Sequence, residues 1–100
     1  MIRVEVISKD SYINKVNIFG HAMYDDYGKD IVCSAVSSIV ITTVNGIIKL
    51  DKDAIRYDQD DEGLYIEMLK DSDIYNTLIN NMIDLLKELE KDYPKNIIVK

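Results

Sequence analysis

Residues 30–50, Asp-Ile-Val-Cys-Ser-Ala-Val-Ser-Ser-Ile-Val-Ile-Thr-Thr-Val-Asn-Gly-Ile-Ile-Lys-Leu, constrain the chain more than any other stretch. Apolar side chains recur at Val32, Ala35, Val36, Ile39, Val40, Val44, Ile47 and Ile48, the spacing of one helix face. The run is too long for a single buried strand. It is also rich in β-branched residues, and Gly46 in its interior costs about 1 kcal/mol relative to Ala. A helix of such weak intrinsic propensity forms only if its apolar face is strongly buried. The rest of the chain must supply the surface that buries it.

Much of that surface reads as strands. Along residues 2–7, Ile2, Val4 and Val6 point one way and Arg3 and Glu5 the other. Lys9-Asp10-Ser11 is a polar turn, and residues 13–19 resume the alternation with Val16 and Ile18 opposite Lys15 and Asn17, which predicts an antiparallel hairpin. Residues 54–57 and 64–69 flank an acidic, glycine-containing segment, 58–63, and predict a second hairpin. That segment lacks the ligand spacing of a calcium loop and reads as a solvated turn. Asp71-Ser72-Asp73 caps a second helix over 74–91, with apolar residues at Ile74, Leu78, Met82, Leu85, Leu86 and Leu89. On its outer face Asp84 and Glu88 stand at pairing distance from Lys87 and Lys91. Pro94 ends this helix, and 96–99 forms a last short strand. The order β-β-α-β-β-α-β predicts one α+β domain over residues 1–100. Its architecture is a two-layer sandwich, a mixed, mostly antiparallel sheet with two helices on one face.

Composition excludes several functional classes. A net charge of −6 opposes direct nucleic-acid binding, which needs a basic face, and favours encounter with a basic partner. One cysteine rules out an internal disulfide framework and a cysteine-based zinc cluster, and suits a reducing cytoplasm. No unbroken run of about 18 apolar residues indicates a membrane span. The N-terminus alternates like a strand and has no signal-peptide pattern.

The chemistry-bearing residues cluster between positions 20 and 37. His21 is the only histidine and Cys33 the only cysteine, separated by an aperiodic, polar and aromatic loop at 22–29 that includes Tyr24 and Tyr27. With Asp30 as N-cap, Cys33 would sit at the third helical position, near open backbone N–H groups and the positive end of the helix dipole, which favour thiolate. Those N–H groups could also form an oxyanion hole, and His21 would complete the equipment for acyl transfer. Asp30, Cys33 and Ser37 share one helix face. Asp30 either caps the helix or orients His21, Ser37 can bond within the pocket or to its own backbone, and Gly20 permits a sharp exit from its strand. Each residue also has a purely structural reading: Cys33 as a small buried apolar group, His21 as a solvated loop side chain, Asp30 as a cap alone.

The run Gly20-His21-Ala22, with Gly28 and Asp30-Ile31-Val32-Cys33-Ser34-Ala35-Val36-Ser37, resembles the ribosomal-processing cysteine protease family (Prp). The similarity continues through Val44-Asn45-Gly46-Ile47 and Leu89-Glu90-Lys91-Asp92-Tyr93, followed by Asn96. The family often has Ala directly after the cysteine, where Ser34 stands here. The resemblance implies a cytoplasmic cysteine endopeptidase using a Cys33–His21 dyad without metal or cofactor. Its expected substrate is a short N-terminal extension of a large-subunit ribosomal protein, the twenty-seventh, cut after an aromatic residue. It further implies that Gly20, Asp30 and Ser37 line or shape the site, that the loop orders around substrate, and that the protein is a homodimer. The competing expectations are a non-enzymatic module that docks on a ribosomal protein during assembly and an acyl hydrolase acting on small molecules.

Overall fold

Two helices lie on one face of a five-stranded sheet. The computed structural model describes residues 1–20 and 27–100, with the backbone alone for 27–30. Its elements are β1 (Ile2–Lys9), β2 (Tyr12–Phe19), α1 (Tyr27–Leu50), β3 (Ile55–Gln59), β4 (Gly63–Met68), α2 (Asp73–Asp92) and β5 (Ile97–Val99). The sheet order is β3-β4-β2-β1-β5. Every neighbouring pair is antiparallel except β1 and β5, which run parallel. This is the α+β architecture expected from the order of the elements.

The core lies between the sheet and the helices. Ile2, Val4, Val16, Ile18, Leu64, Ile66 and Met68 face it from the strands, and Val32, Val36, Val40, Val44 and Ile47 face it from α1. Burying each such side chain contributes about 1.5–3 kcal/mol, which offsets the weak helix propensity of a β-branched segment. The opposite sheet face is polar. There Lys15 stands across from Glu67, which stands across from Arg56, so opposite charges alternate over three strands. By length and mean hydropathy, 2.0 over its most apolar window, Ile31–Leu50 also passes for a membrane span. Its apolar side is committed to the sheet.

The helix phases differ from the sequence pattern in places. On α1, Ile48 is 40% exposed and Ala35 only half-buried. On α2 the buried side chains are Ile79, Met82, Ile83 and Leu86, whereas Ile74 and Leu85 are 66% and 41% exposed. Two anchors explain the rotation of α2. The Ile13 N–H donates to Asn76 Oδ1 at 3.0 Å, and the Val99 N–H donates to Glu90 Oε2 at 3.2 Å. These bonds pull the helix toward β2 and β5 and turn Ile79 and Ile83 inward. Neither Asp84 with Lys87 nor Glu88 with Lys91 closes as an ion pair; among the described residues the ion pairs are Arg56–Asp58 and Lys70–Asp51.

Side chains fix the ends of the helices. Ser72 is the N-cap of α2, its Oγ accepting from the Tyr75 N–H, and Tyr93 closes the C-terminus just before Pro94. Asp51, just past α1, accepts from Lys70 Nζ at 2.8 Å, from the Asp53 N–H at 3.0 Å and from Tyr75 Oη at 3.4 Å. The Lys70 bond, with the Asp53 N–H next in weight, holds the Asp51 carboxyl below the usual carboxylate range. One carboxylate thus ties the end of α1 to the start of α2.

The β1–β2 turn carries strain. Lys9 pairs with Tyr12, and the two residues between them, Asp10 and Ser11, both adopt positive φ, 52° and 72°. This left-handed pair suits the twist of a hairpin but favours Asn and Gly over Ser. Ser11→Gly is expected to stabilise the domain by about 0.5–1 kcal/mol, read as a rise of a few degrees in melting temperature. A lowered melting temperature would show that Ser11 makes a compensating contact.

Candidate active site

The strand end that leads to His21 is built around two glycines. Gly20 follows β2 with φ +80°, and a Cβ there would lie 2.7 Å from the Met1 carbonyl oxygen. Its N–H donates to the Glu62 carbonyl at 3.1 Å. Across the sheet, Gly63 pairs with Phe19, and a Cβ on Gly63 would fall 2.0 Å from the Ile18 carbonyl oxygen. Glycine is required at both positions because backbone approaches backbone. Phe19 meets the Tyr65 ring edge-on at 5.8 Å, with the Arg3 guanidinium 5.4 Å from its ring centre. The end of β2 is therefore pinned on both sides.

The importance of Gly63 is not readable from its neighbours in sequence, where it looks like a turn residue after an acidic run. Only the cross-strand register shows what it must avoid. Gly20 was legible as a hinge, and its left-handed φ and contact with Met1 agree with that reading.

Cys33 is 8% exposed and belongs to the core cluster on α1. The start of the helix differs from the expectation. α1 begins at Tyr27, not after an Asp30 cap, so Asp30 lies inside the helix and Cys33 is its seventh residue. The open N–H groups of a helix are the first four, and the dipole's influence fades within the first turn. Cys33 therefore lies beyond the turn that was expected to activate it and to form an oxyanion hole. The expected loop 22–29 is shortened in the same way, since 27–29 belong to the helix.

Asp30 precedes Cys33 by three residues and Ser37 follows by four, so the three positions share one flank of α1. Ser37 is half-buried. His21 and residues 22–26, Tyr24 among them, lie outside the described residues. Topology fixes the level of Gly20 relative to α1. α1 runs antiparallel to β2, from the sheet end where β2 finishes to the end where β3 begins. Seventeen residues separate Cys33 from Leu50, about 26 Å of helix, close to the roughly 27 Å of an eight-residue strand such as β2. Cys33 thus stands at the level of Gly20.

Among the described residues, no group of three His, Cys, Asp or Glu side chains is placed to hold a metal ion. Gly20→Ala is expected to cost about 1–3 kcal/mol, from the left-handed backbone and the clash with Met1. Denaturant unfolding measures this directly, and an unchanged midpoint would mean that the strand end relaxes freely.

The fold and the sequence both find relatives. The family model for cysteine protease Prp matches residues 1–98. The ribosomal processing cysteine protease Prp of Staphylococcus aureus is 29% identical over 101 residues, covering 97% of this chain and 95% of the relative. That of Bacillus subtilis is 31% identical over 99 residues, covering 92% and 88%. The crystal structure of the S. aureus protease with a substrate peptide superposes with a TM-score of 0.92 at 28% identity, covering all of this chain and 98% of the other. A second structure of that protease, holding a covalently linked product peptide, gives a TM-score of 0.86 over the same shares. With the family model matched over residues 1–98 and the fold shared over the whole chain, the chain belongs to the Prp family of cysteine proteases.

Proposed function

We propose that this cysteine peptidase removes a short N-terminal extension from a large-subunit ribosomal protein, the twenty-seventh, during ribosome maturation. One observation carries the assignment of its machinery. A cysteine protease domain with one cysteine and one histidine in 100 residues has a single candidate for each role, Cys33 as nucleophile and His21 as general base and acid. The named activity of the S. aureus and B. subtilis relatives supports the ribosomal substrate. The covalently linked product peptide in the S. aureus protein supports covalent catalysis.

In this reading His21 takes the thiol proton and the Cys33 thiolate attacks the carbonyl carbon of the scissile bond, forming a tetrahedral oxyanion. Collapse of that species breaks the C–N bond as His21 returns the proton to the leaving amine, which departs as the new N-terminus. Water, deprotonated by His21, attacks the remaining thioester and frees the carboxylic acid and the thiol. Burial of Cys33 raises the demand on its partner, because a desolvated thiol ionises only beside a compensating positive charge. With the first turn of α1 too far back to supply it, that charge falls to His21. Gly20 sets where His21 leaves the sheet, and Asp30 and Ser37 flank the thiol on α1.

The protein is taken to work as a homodimer in the cytoplasm, where its single thiol stays reduced. Cys33→Ala is expected to abolish cleavage of the extended precursor, followed by mass spectrometry, with the circular-dichroism spectrum and melting temperature preserved to within a few degrees. Precursor binding by that variant without any cleavage by the native protein would favour the assembly-module reading. Native-like turnover by Cys33→Ala would end the thiol mechanism.

A further inference from the structure

Helix α2 leaves two large apolar side chains exposed, in line with a third that packs on the edge of the core. Ile74, Leu78 and Leu85 follow one another at i, i+4 and i+11, a single stripe along the helix. The face turned to the core consists of Ile79, Met82, Ile83 and Leu86. Ile74 at 66% and Leu85 at 41% are exposed, and Leu78 is partly buried. At the start of the stripe a depression of about 320 Å³ is lined by Asp73, Ile74, Thr77 and Leu78. It is an apolar hollow with a carboxylate at its rim.

The border of this stripe is rich in carboxylates, with Lys87 and Lys91 beside them. Asp73 opens it, where its carboxylate accepts from Tyr12 Oη at 2.6 Å. Asp84 and Glu88 follow on the outward side, exposed and in no ion pair with Lys87 or Lys91. Asp71 lies just before the helix, and its charge adds to that of Asp73 in raising the pKa of the Tyr12 hydroxyl. A surface with apolar anchors and carboxylate borders selects a basic, amphipathic partner. Its carboxylates, on a chain of net charge −6, repel anionic lipid.

We infer that the Ile74–Leu78–Leu85 stripe with its Asp73, Asp84 and Glu88 border is an exosite that docks the basic body of the ribosomal protein whose extension is cut. This rests on the function proposed above and adds a second point of attachment to it. The geometry sets the separation. Asp51 meets Tyr75 at the start of α2, and Cys33 lies eighteen residues before Asp51 on α1, about 27 Å along the axis. From there α2 runs back toward the sheet end where β5 pairs with the start of β1, so Leu85, eleven residues past Ile74, stands about 16 Å nearer the level of Cys33 and about 10 Å from it. An extended chain needs about three residues to reach the level of Leu85 and about eight to reach that of Ile74. A substrate cut at Cys33 therefore meets the stripe with residues from about the third after the scissile bond onward, in the mature protein.

The test compares two substrates, the full-length precursor and a peptide with fewer than three residues after the cut site. One variant, Ile74→Ser with Leu85→Ser, removes the apolar anchors; a second, Asp84→Lys with Glu88→Lys, reverses the border. Both are expected to raise KM for the precursor roughly tenfold at unchanged kcat, and to cleave the short peptide as the native protein does. Equal effects on both substrates, or none on the precursor, would overturn the exosite. So would a changed sedimentation mass in either variant, because it would assign the stripe to self-association. Failure of the native protein to cut either substrate would instead count against the protease function. Precursor binding followed by fluorescence anisotropy would still decide the exosite, with a Kd raised in both variants expected and an unchanged Kd contradicting it.

Discussion

The burial of one uncharged helix flank against a sheet governs this molecule. From Ile31 to Ile48 the chain carries no charge, and its β-branched residues would not hold a helix in water. Val32, Val36, Val40 and Ile47 are fully enclosed, against strand residues such as Val16, Ile18 and Leu64. That contact positions α1 over the sheet, and so decides where a side chain seven residues into the helix will stand. Cys33 is part of the same buried flank. The thiol is held by the packing that makes the helix possible, so its placement and the stability of the domain have a common cause.

The end of β2 is set by close backbone packing in the sheet. Gly20 and Gly63 let three backbone segments meet where a Cβ would not fit, and Phe19, next to Gly20, packs against Tyr65 and Arg3. At the far end, Asp51 joins the exit of α1 to the start of α2 through Lys70 and Tyr75. The two ends of the domain thus have different jobs. At one, Gly20 ends β2 at the level of the thiol, and the other locks the helix pair through Asp51.

Much of this was legible in the sequence. The strand alternation, the helical period after Asp30, the Ser72 cap and Pro94 stop lie in local patterns, and so does the left-handed need at Gly20. The phase of α2 was not legible, because Ile74, Leu78, Leu85 and Ile79, Met82, Ile83, Leu86 are two competing apolar faces. Tertiary hydrogen bonds at Asn76 and Glu90 choose between them. The start of α1 was also missed. Asp30 has the chemistry of a cap, yet the helix begins a turn earlier at Tyr27, and residue type alone does not show which polar residue ends a loop. Gly63 became visible only through the strand facing it. His21 and Cys33 stood out as the chain's single histidine and cysteine, and the family resemblance tied them to a reaction.

In the proposed mechanism, the earlier helix start moves the burden of thiol activation from the helix terminus to the imidazole. Alkylation of Cys33 by iodoacetamide as a function of pH measures that burden directly, in the native protein and in His21→Ala. Native Cys33 is expected to react at neutral pH with an apparent pKa well below the ordinary thiol value of about 8.5, and His21→Ala to return the profile toward that value. Superimposable profiles, both rising only at ordinary thiol pH, would contradict the Cys33–His21 dyad.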